Sequence, residues 1–146
     1  GDGPLAARWR REHPEFVFCG PRRGEDLAAH YASADCFLFP SLTETFGNVV
    51  LEAMASGLPV VGYDEAAVAE CIEDGVNGLS CPPGDEEAFI TQACRLATDA
   101  SLRLRLGIAA RASASERSWS DIFRRAETAI HDVLRAAEEP ILCRAP

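Results

Sequence analysis

The sequence predicts an α/β fold, a Rossmann-like parallel sheet with helices on both faces. Three observations carry that expectation. Cys36–Phe39 and Leu58–Val61 are short continuous apolar runs, the pattern of strands covered on both faces rather than the alternation of a half-solvated sheet. Between them lies an apolar helical segment of the length a right-handed crossover needs. Strand and helix patterns also alternate four times along the chain.

The elements follow in order. Pro4 at a first helical position, with Leu5 and Trp9 four apart, predicts a short helix ending near His13-Pro14. Phe16–Cys19 reads as a strand stopped by Gly20-Pro21. After the turn Arg22-Arg23-Gly24, Glu25-Asp26 lead a helix with Leu27, Ala28, Tyr31 and Ala32 on one face. Pro40 ends the strand Cys36–Phe39 because it cannot donate to a ladder. Gly47 and Asn48 open a helix rich in apolar residues, Val49, Val50, Leu51, Ala53, Met54 and Ala55, and Gly57 closes it where a left-handed cap is cheapest. Ala66–Ile72 is a short helix. Asp74-Gly75-Val76-Asn77-Gly78 is a turn with two glycines suited to positive φ, and Leu79–Cys81 is a last short strand.

Pro82-Pro83-Gly84 breaks the chain before Asp85, an N-cap for a helix presenting Phe89, Ile90, Ala93, Leu96 and Ala97. A helix from about Ser101 carries Leu102, Leu106, Ala109 and Ala112. Ser118 and Asp121 fit a capping box, and the helix behind them stripes Ile122, Phe123, Ala126, Ala129, Ile130, Val133 and Leu134 until Pro140. The tail to Pro146 has no pattern. We read residues 1–146 as one partial Rossmann-like domain with C-terminal helices over about 85–135.

Composition bounds the function. At 146 residues, 47% of them hydrophobic, the chain suffices for one domain with a sizeable core. It begins with Gly1 rather than methionine, in a turn-like Gly1-Asp2-Gly3-Pro4, which suggests a piece of a longer chain. Fourteen basic and 23 acidic residues give a net charge of −9, and the basic residues cluster no further than Arg22-Arg23 and the Arg8, Arg10, Arg11 face. Nucleic acid, which demands a phosphate-neutralising surface, is not an expected partner. The six cysteines show no Cys-x-x-Cys spacing, and four lie in apolar patterns where a thiol packs as a small hydrophobe. Neither zinc nor a disulfide framework is expected, nothing resembles a signal peptide, and no apolar run approaches the roughly 20 residues of a membrane span. A reduced, cytoplasmic setting is the expectation.

Two carboxylates punctuate the central unit, Glu44 ahead of the helix and Glu52 within it, with seven residues between them. Five residues of helix from Gly47 to Glu52 rise roughly 7.5 Å at about 1.5 Å each, the scale of a phosphate and a ribose. The first-turn amides attract an anion, and the helix dipole favours the same charge there. Each carboxylate is able to accept hydrogen bonds from a sugar diol. With nearly all its helix neighbours apolar, Glu52 is expected to bind ligand rather than stand as an exposed helix charge, because a buried unpaired carboxylate is costly. For Arg22 and Arg23 the solvated reading outweighs contact with a base or phosphate. The three histidines, His13, His30 and His131, have no partner spacing, and Trp119 and Phe123 read as packing anchors. Arg103, Arg105, Arg111 and Arg117 read as a solvated helix face, with a membrane-surface role as the lesser alternative.

The chain resembles the retaining nucleotide-sugar glycosyltransferases of family 4, which have the two-domain GT-B fold. The matching residues are Gly1-Asp2-Gly3-Pro4, Phe18-Cys19-Gly20, Tyr31-Ala32-Ser33-Ala34-Asp35, the run Pro40 to Gly47, the run Leu51 to Val61, Glu70, Asp74 to Gly78 and Pro83-Gly84-Asp85. The resemblance implies that Glu44 meets donor-sugar hydroxyls as the catalytic-site carboxylate, a positioning and electrostatic group rather than a nucleophile. It implies that Glu52 holds the ribose diol, and that Ser41, Thr45, Phe46, Gly47, Asn48 and Val49 contribute to the donor cradle. It further implies transfer of a hexose from a UDP- or GDP-linked donor to a glycolipid or glycan hydroxyl with retention, no metal and no further cofactor, and a place at the inner membrane face for the full-length protein.

Two departures qualify this. A glycine-rich loop carrying an Arg and a Lys, two strands and the acceptor-binding N-terminal domain precede the matched region in the family, so the chain alone is expected not to turn over. The loop Tyr63-Asp64-Glu65-Ala66-Ala67 lacks the family's common paired glycines, as in members that glycosylate lipids, mannosyl- and sulfoquinovosyl-transferases among them. The alternative is a non-catalytic interaction or regulatory module that kept the fold. The two missing strands belong between Phe16–Cys19 and Cys36–Phe39, so these two either pair directly or leave an edge that recruits another chain, including a second copy.

Overall fold

In a computed structural model the protein is described over residues 3–43, 47–117 and 119–138. The elements are α1 (Ala6–Glu12), α2 (Gly24–Ala32), β1 (Phe37–Phe39), α3 (Asn48–Ala55), β2 (Val60–Tyr63), α4 (Ala66–Cys71), β3 (Leu79–Cys81), α5 (Glu86–Thr98), α6 (Ala100–Glu116) and α7 (Trp119–Glu138). The strands form a parallel sheet in the order β1-β2-β3, with Phe37 opposite Val60 and Val61 opposite Leu79.

Successive strand residues point to opposite faces, and β2 uses this to hold two helical layers. Val60 packs with Val50, Ala53 and Met54 of α3 and with Ala67 and Val68 of α4. Its neighbour Val61 packs with Leu79, Leu96 of α5, and Leu102 and Leu106 of α6. Ala110 of α6 reaches the first of these clusters, so α6 spans both. It lies against the end of α3 with nothing between them: a Cβ on Gly107 would sit 2.3 Å from the Gly57 carbonyl oxygen.

The ends are fixed by identifiable bonds. Asp85 and Asp99 accept from the amides of Ala88 and Leu102, capping α5 and α6. At the end of α3 the Gly57 amide donates to Met54 O and the Leu58 amide to Ala53 O, with Gly57 at φ +80. Buried Asn77 donates to Cys71 O and Ser113 Oγ and accepts from the Glu73 amide, tying the turn before β3 to α6.

Several sequence expectations are corrected. Phe16–Cys19 is not a strand: it joins no ladder, Val17 is 88% exposed, and His13 stacks between Trp9 and Phe16 instead. Direct pairing of this segment with β1 therefore does not occur. β1 itself is half-exposed rather than buried, because among the described residues it has a neighbour on one side only. β2 starts at Val60 because Leu58 completes the α3 cap and Pro59 has no amide to give. Of the two turn glycines only Gly75 takes positive φ; at Gly78 the Ile72 side chain leaves no room for a Cβ.

Ile90 and Ala112 face solvent, as do Phe123, Ile130, Val133 and Leu134 of the expected α7 stripe. Two of the four arginines read as solvated instead terminate helices. Arg103 donates to Leu96 O and Ala97 O at the end of α5, and Arg117 donates to Glu70 O and Cys71 Sγ at the end of α4. Ser118 of the expected capping box, Pro140 and the tail lie outside the described residues.

Candidate functional site

The chain leaves the carboxyl end of β1 through Pro40, and Gly47 is the N-cap of α3. Gly47 is buried and left-handed, φ 64 and ψ 43, a conformation that a Cβ would strain by about 1–2 kcal/mol. Among the described residues no side chain caps α3, and its first turn holds no acidic residue. The amides and dipole at this end are therefore not neutralised from within the helix, which is the condition for attracting an external anion. Asn48 is exposed and Val49 half-buried.

Glu52 follows Asn48 by four residues and so shares its face, one turn along. Its carboxylate is exposed, which corrects the expectation that apolar neighbours bury it. Val50, Ala53 and Met54 are fully buried, but helical geometry turns them to the core while Glu52 faces outward. Its partner is one the sequence reading assigned only to packing: Tyr31 of α2 donates from its hydroxyl to Glu52 Oε2 at 3.2 Å. Partial burial first, then the Glu52 charge and this hydrogen bond, push the Tyr31 phenol up to about 12 from 10.0. The Tyr31 ring meets Phe37 of β1 edge-on at 5.9 Å, so α2, β1 and α3 converge here.

The other predicted residues divide. Ser41 is half-buried and donates to Thr43 O at 3.1 Å, closing a local turn. Glu44, Thr45 and Phe46 lie outside the described residues. Arg22 is held by Asp26 at 2.9 Å, as a solvated pair. In the loop after β2, where the paired glycines are absent, Ala66 takes a positive φ of 47 that glycine would adopt freely.

A cavity of about 470 Å³ lies at the opposite, amino ends of β1 and β2, lined among others by Asp35, Pro59, Arg103 and Arg111. It contains none of the predicted site residues. Among the described residues no three His, Cys, Asp or Glu side chains gather to hold a metal ion, and no helix is long and apolar enough to cross a membrane. Cys71 and Cys81 are buried, unpaired, and raised in pKa by that burial, so they persist as packed thiols.

The family profile described as "Glycosyl transferases group 1" matches residues 1–99. The sulfoquinovosyl transferase SQD2 of Arabidopsis thaliana is 40% identical over 124 residues, covering 82% of this chain and 24% of its own length. A GDP-mannose-dependent alpha-mannosyltransferase of Mycobacterium tuberculosis is 41% identical over 119 residues, covering 82% and 31%. The chain thus spans about a quarter to a third of these curated relatives. Among solved structures, the sucrose-phosphate synthase of Thermosynechococcus elongatus superposes with a TM-score of 0.74 at 28% identity, over 93% of this chain and 37% of that one. HepE of Anabaena, solved with UDP and glucose, superposes with a TM-score of 0.69 at 30% identity, over 88% and 35%.

Proposed function

The chain belongs to the group 1 glycosyl transferases, and from that premise we propose that it is the nucleotide-sugar-binding part of a retaining family 4 enzyme, one that moves a hexose from a nucleoside diphosphate to a glycolipid or glycan hydroxyl. The observation that carries this reading is the α3 start: amides that no described side chain caps at left-handed Gly47, with Glu52 one turn beyond Asn48 on the same exposed face. In the proposal the amides of Asn48 and Val49 accept the diphosphate and Glu52 accepts from the ribose hydroxyls. Glu44 orients the donor sugar, while Ser41, Thr45 and Phe46 complete the cradle. Stabilisation by preorganised amides needs neither a metal nor a cofactor in this scheme. The likeness to HepE, solved with UDP and glucose, supports a nucleoside diphosphate as the ligand class.

The acceptor belongs to residues outside this chain in the same proposal, so the chain alone gives no nucleotide release with a sugar acceptor. The five cysteines among the described residues are unpaired thiols, which suits a reducing cytoplasm, and a lipid acceptor would place the enzyme at the inner membrane face. The outer edge of β1, unpaired among the described residues, leaves self-association through the sheet as the second half of the pairing alternative.

The test is an NMR titration of the ¹⁵N-labelled chain with UDP and GDP, which registers weak binding. The Gly47, Asn48 and Val49 amides are expected to shift most, and Glu52→Ala to weaken binding about tenfold, the scale of lost hydrogen bonds to a charged group. Unchanged affinity in that variant overturns the ribose assignment.

A further inference from the structure

Glu52 does not hold its own position. It projects from an exposed helix face, and an unrestrained glutamate there samples several rotamers, so a ribose grip built on it alone would lose ordering free energy at each binding event. What restrains it comes from another element. Tyr31 lies 21 residues earlier on α2, and its hydroxyl donates to Oε2. The tyrosine is itself fixed: half-buried, with its ring edge against Phe37 of β1, which is paired to β2. Oε1 of Glu52 has no partner among the described residues. One carboxylate oxygen is thus engaged by the fold, and no described residue engages the other.

We infer that Tyr31 is a positioning residue for donor recognition, pinning Oε2 of Glu52 so that Oε1 is presented to a ribose hydroxyl and a ribonucleotide is preferred over its deoxyribose counterpart. This rests on the reading of Glu52 as the ribose carboxylate. Tyr31 touches the ligand at no point in this scheme and acts through Glu52. The phenol suits the task chemically. Because its pKa stands at about 12, it remains a neutral donor across the physiological range and never repels the carboxylate it holds. A phenol on a packed ring also loses little freedom in making the bond, unlike a lysine or an arginine.

The conservative variant Tyr31→Phe keeps the ring and its Phe37 contact and removes only the hydroxyl. NMR titrations with UDP and with 2′-deoxy- and 3′-deoxy-UDP, on the unmodified chain, Tyr31→Phe, Glu52→Gln and the double variant, separate the possibilities. The expected result is a ribose preference, the ratio of deoxy-UDP to UDP dissociation constants, that falls about five- to tenfold in Tyr31→Phe, the net scale of one typical hydrogen bond. The double variant is expected to fall no further than Glu52→Gln alone, the signature of two residues acting as a unit. If Tyr31→Phe weakens UDP and deoxy-UDP equally, the tyrosine is merely structural and the inference is overturned. If Glu52→Gln collapses the preference and Tyr31→Phe keeps it, the inference falls while the reading of Glu52 stands. If Glu52→Gln leaves the preference intact, or the unmodified chain binds no UDP, the reading of Glu52 fails and takes the inference with it.

Discussion

β1 and β2 start from the same kind of sequence and end differently. Both read as short continuous apolar runs that require cover on two faces. In β2, Val60 to Tyr63, every residue is buried, with a strand on each side and helices on each face. In β1, Phe37 and Phe39 are half-buried and Leu38 is 46% exposed, with β2 as the sole described neighbour. An apolar run thus encodes a demand for cover, and the topology decides how much of it is met. The site inherits this asymmetry: α3 is clamped to the β2 side by its buried face, while Glu52 and Tyr31 meet on the looser β1 side.

The largest expected effect lies on the β2 side. Leu79 on β3 is fully buried, opposite Val61. Leu79→Ala is expected to cost about 2–5 kcal/mol, because it is packed in one buried cluster with Val61, Leu96, Leu102 and Leu106 and its removal leaves a cavity there. Urea denaturation followed by circular dichroism measures it. A loss below about 1 kcal/mol would mean that β2 is no better covered than β1 and would break the contrast.

A smaller effect, dependent on pH, sharpens the β1 side. The Tyr31 phenol is raised to about 12 in the fold against 10.0 unperturbed. Above pH 10 the unfolded chain releases this proton while the folded chain keeps it, so the associated stability is complete below 10 and is lost as pH rises towards 12. Tyr63 and the thiols of Cys36, Cys71 and Cys81 are raised as well and add a background of the same sign. Denaturation series in pH steps on the unmodified chain and Tyr31→Phe isolate the tyrosine, and the variant is expected to lose less stability through this window. Parallel profiles would show that Tyr31 is not protected on the β1 side.

How far the fold was legible follows the same division. The crossover Cys36 to Gly62, the Gly57 cap, the Asp85 cap and β3 are set by local signals: a proline that cannot donate, a glycine that takes positive φ, an aspartate that bonds its own helix. Where a segment needs a distant partner, the pattern failed. Phe16–Cys19 has strand composition but no ladder, and the α7 residues Ile130, Val133 and Leu134 have core periodicity but face solvent. At the site, the glycine, the helix start and Glu52 were readable because they fall within a few residues of one another. Glu52 was misread as buried because a list of neighbours in sequence ignores that a helix turns alternate residues away from each other. The sequence pattern gives Tyr31 a place on the packing face of its helix and no more, since nothing local shows that a residue 21 positions upstream reaches Glu52.

The smallest effect on stability comes from Leu38 at the middle of β1. Leu38→Lys places a charge on a side chain already 46% exposed and leaves the ladder register Leu38–Val61 to the backbone. Unfolding free energy is therefore expected to change by no more than about 0.5 kcal/mol, the range of ordinary surface substitutions. The same lysine acts differently on assembly, because a charge on a strand whose outer edge is unpaired among the described residues disfavours addition of another strand. Sedimentation velocity over a concentration series is expected to show the unmodified chain self-associating and the variant remaining monomeric. A large loss of stability in Leu38→Lys would mean that β1 is covered as β2 is. Association unchanged by the lysine would remove the sheet edge as the surface through which copies meet, leaving the half-covered strand as a property of the single chain.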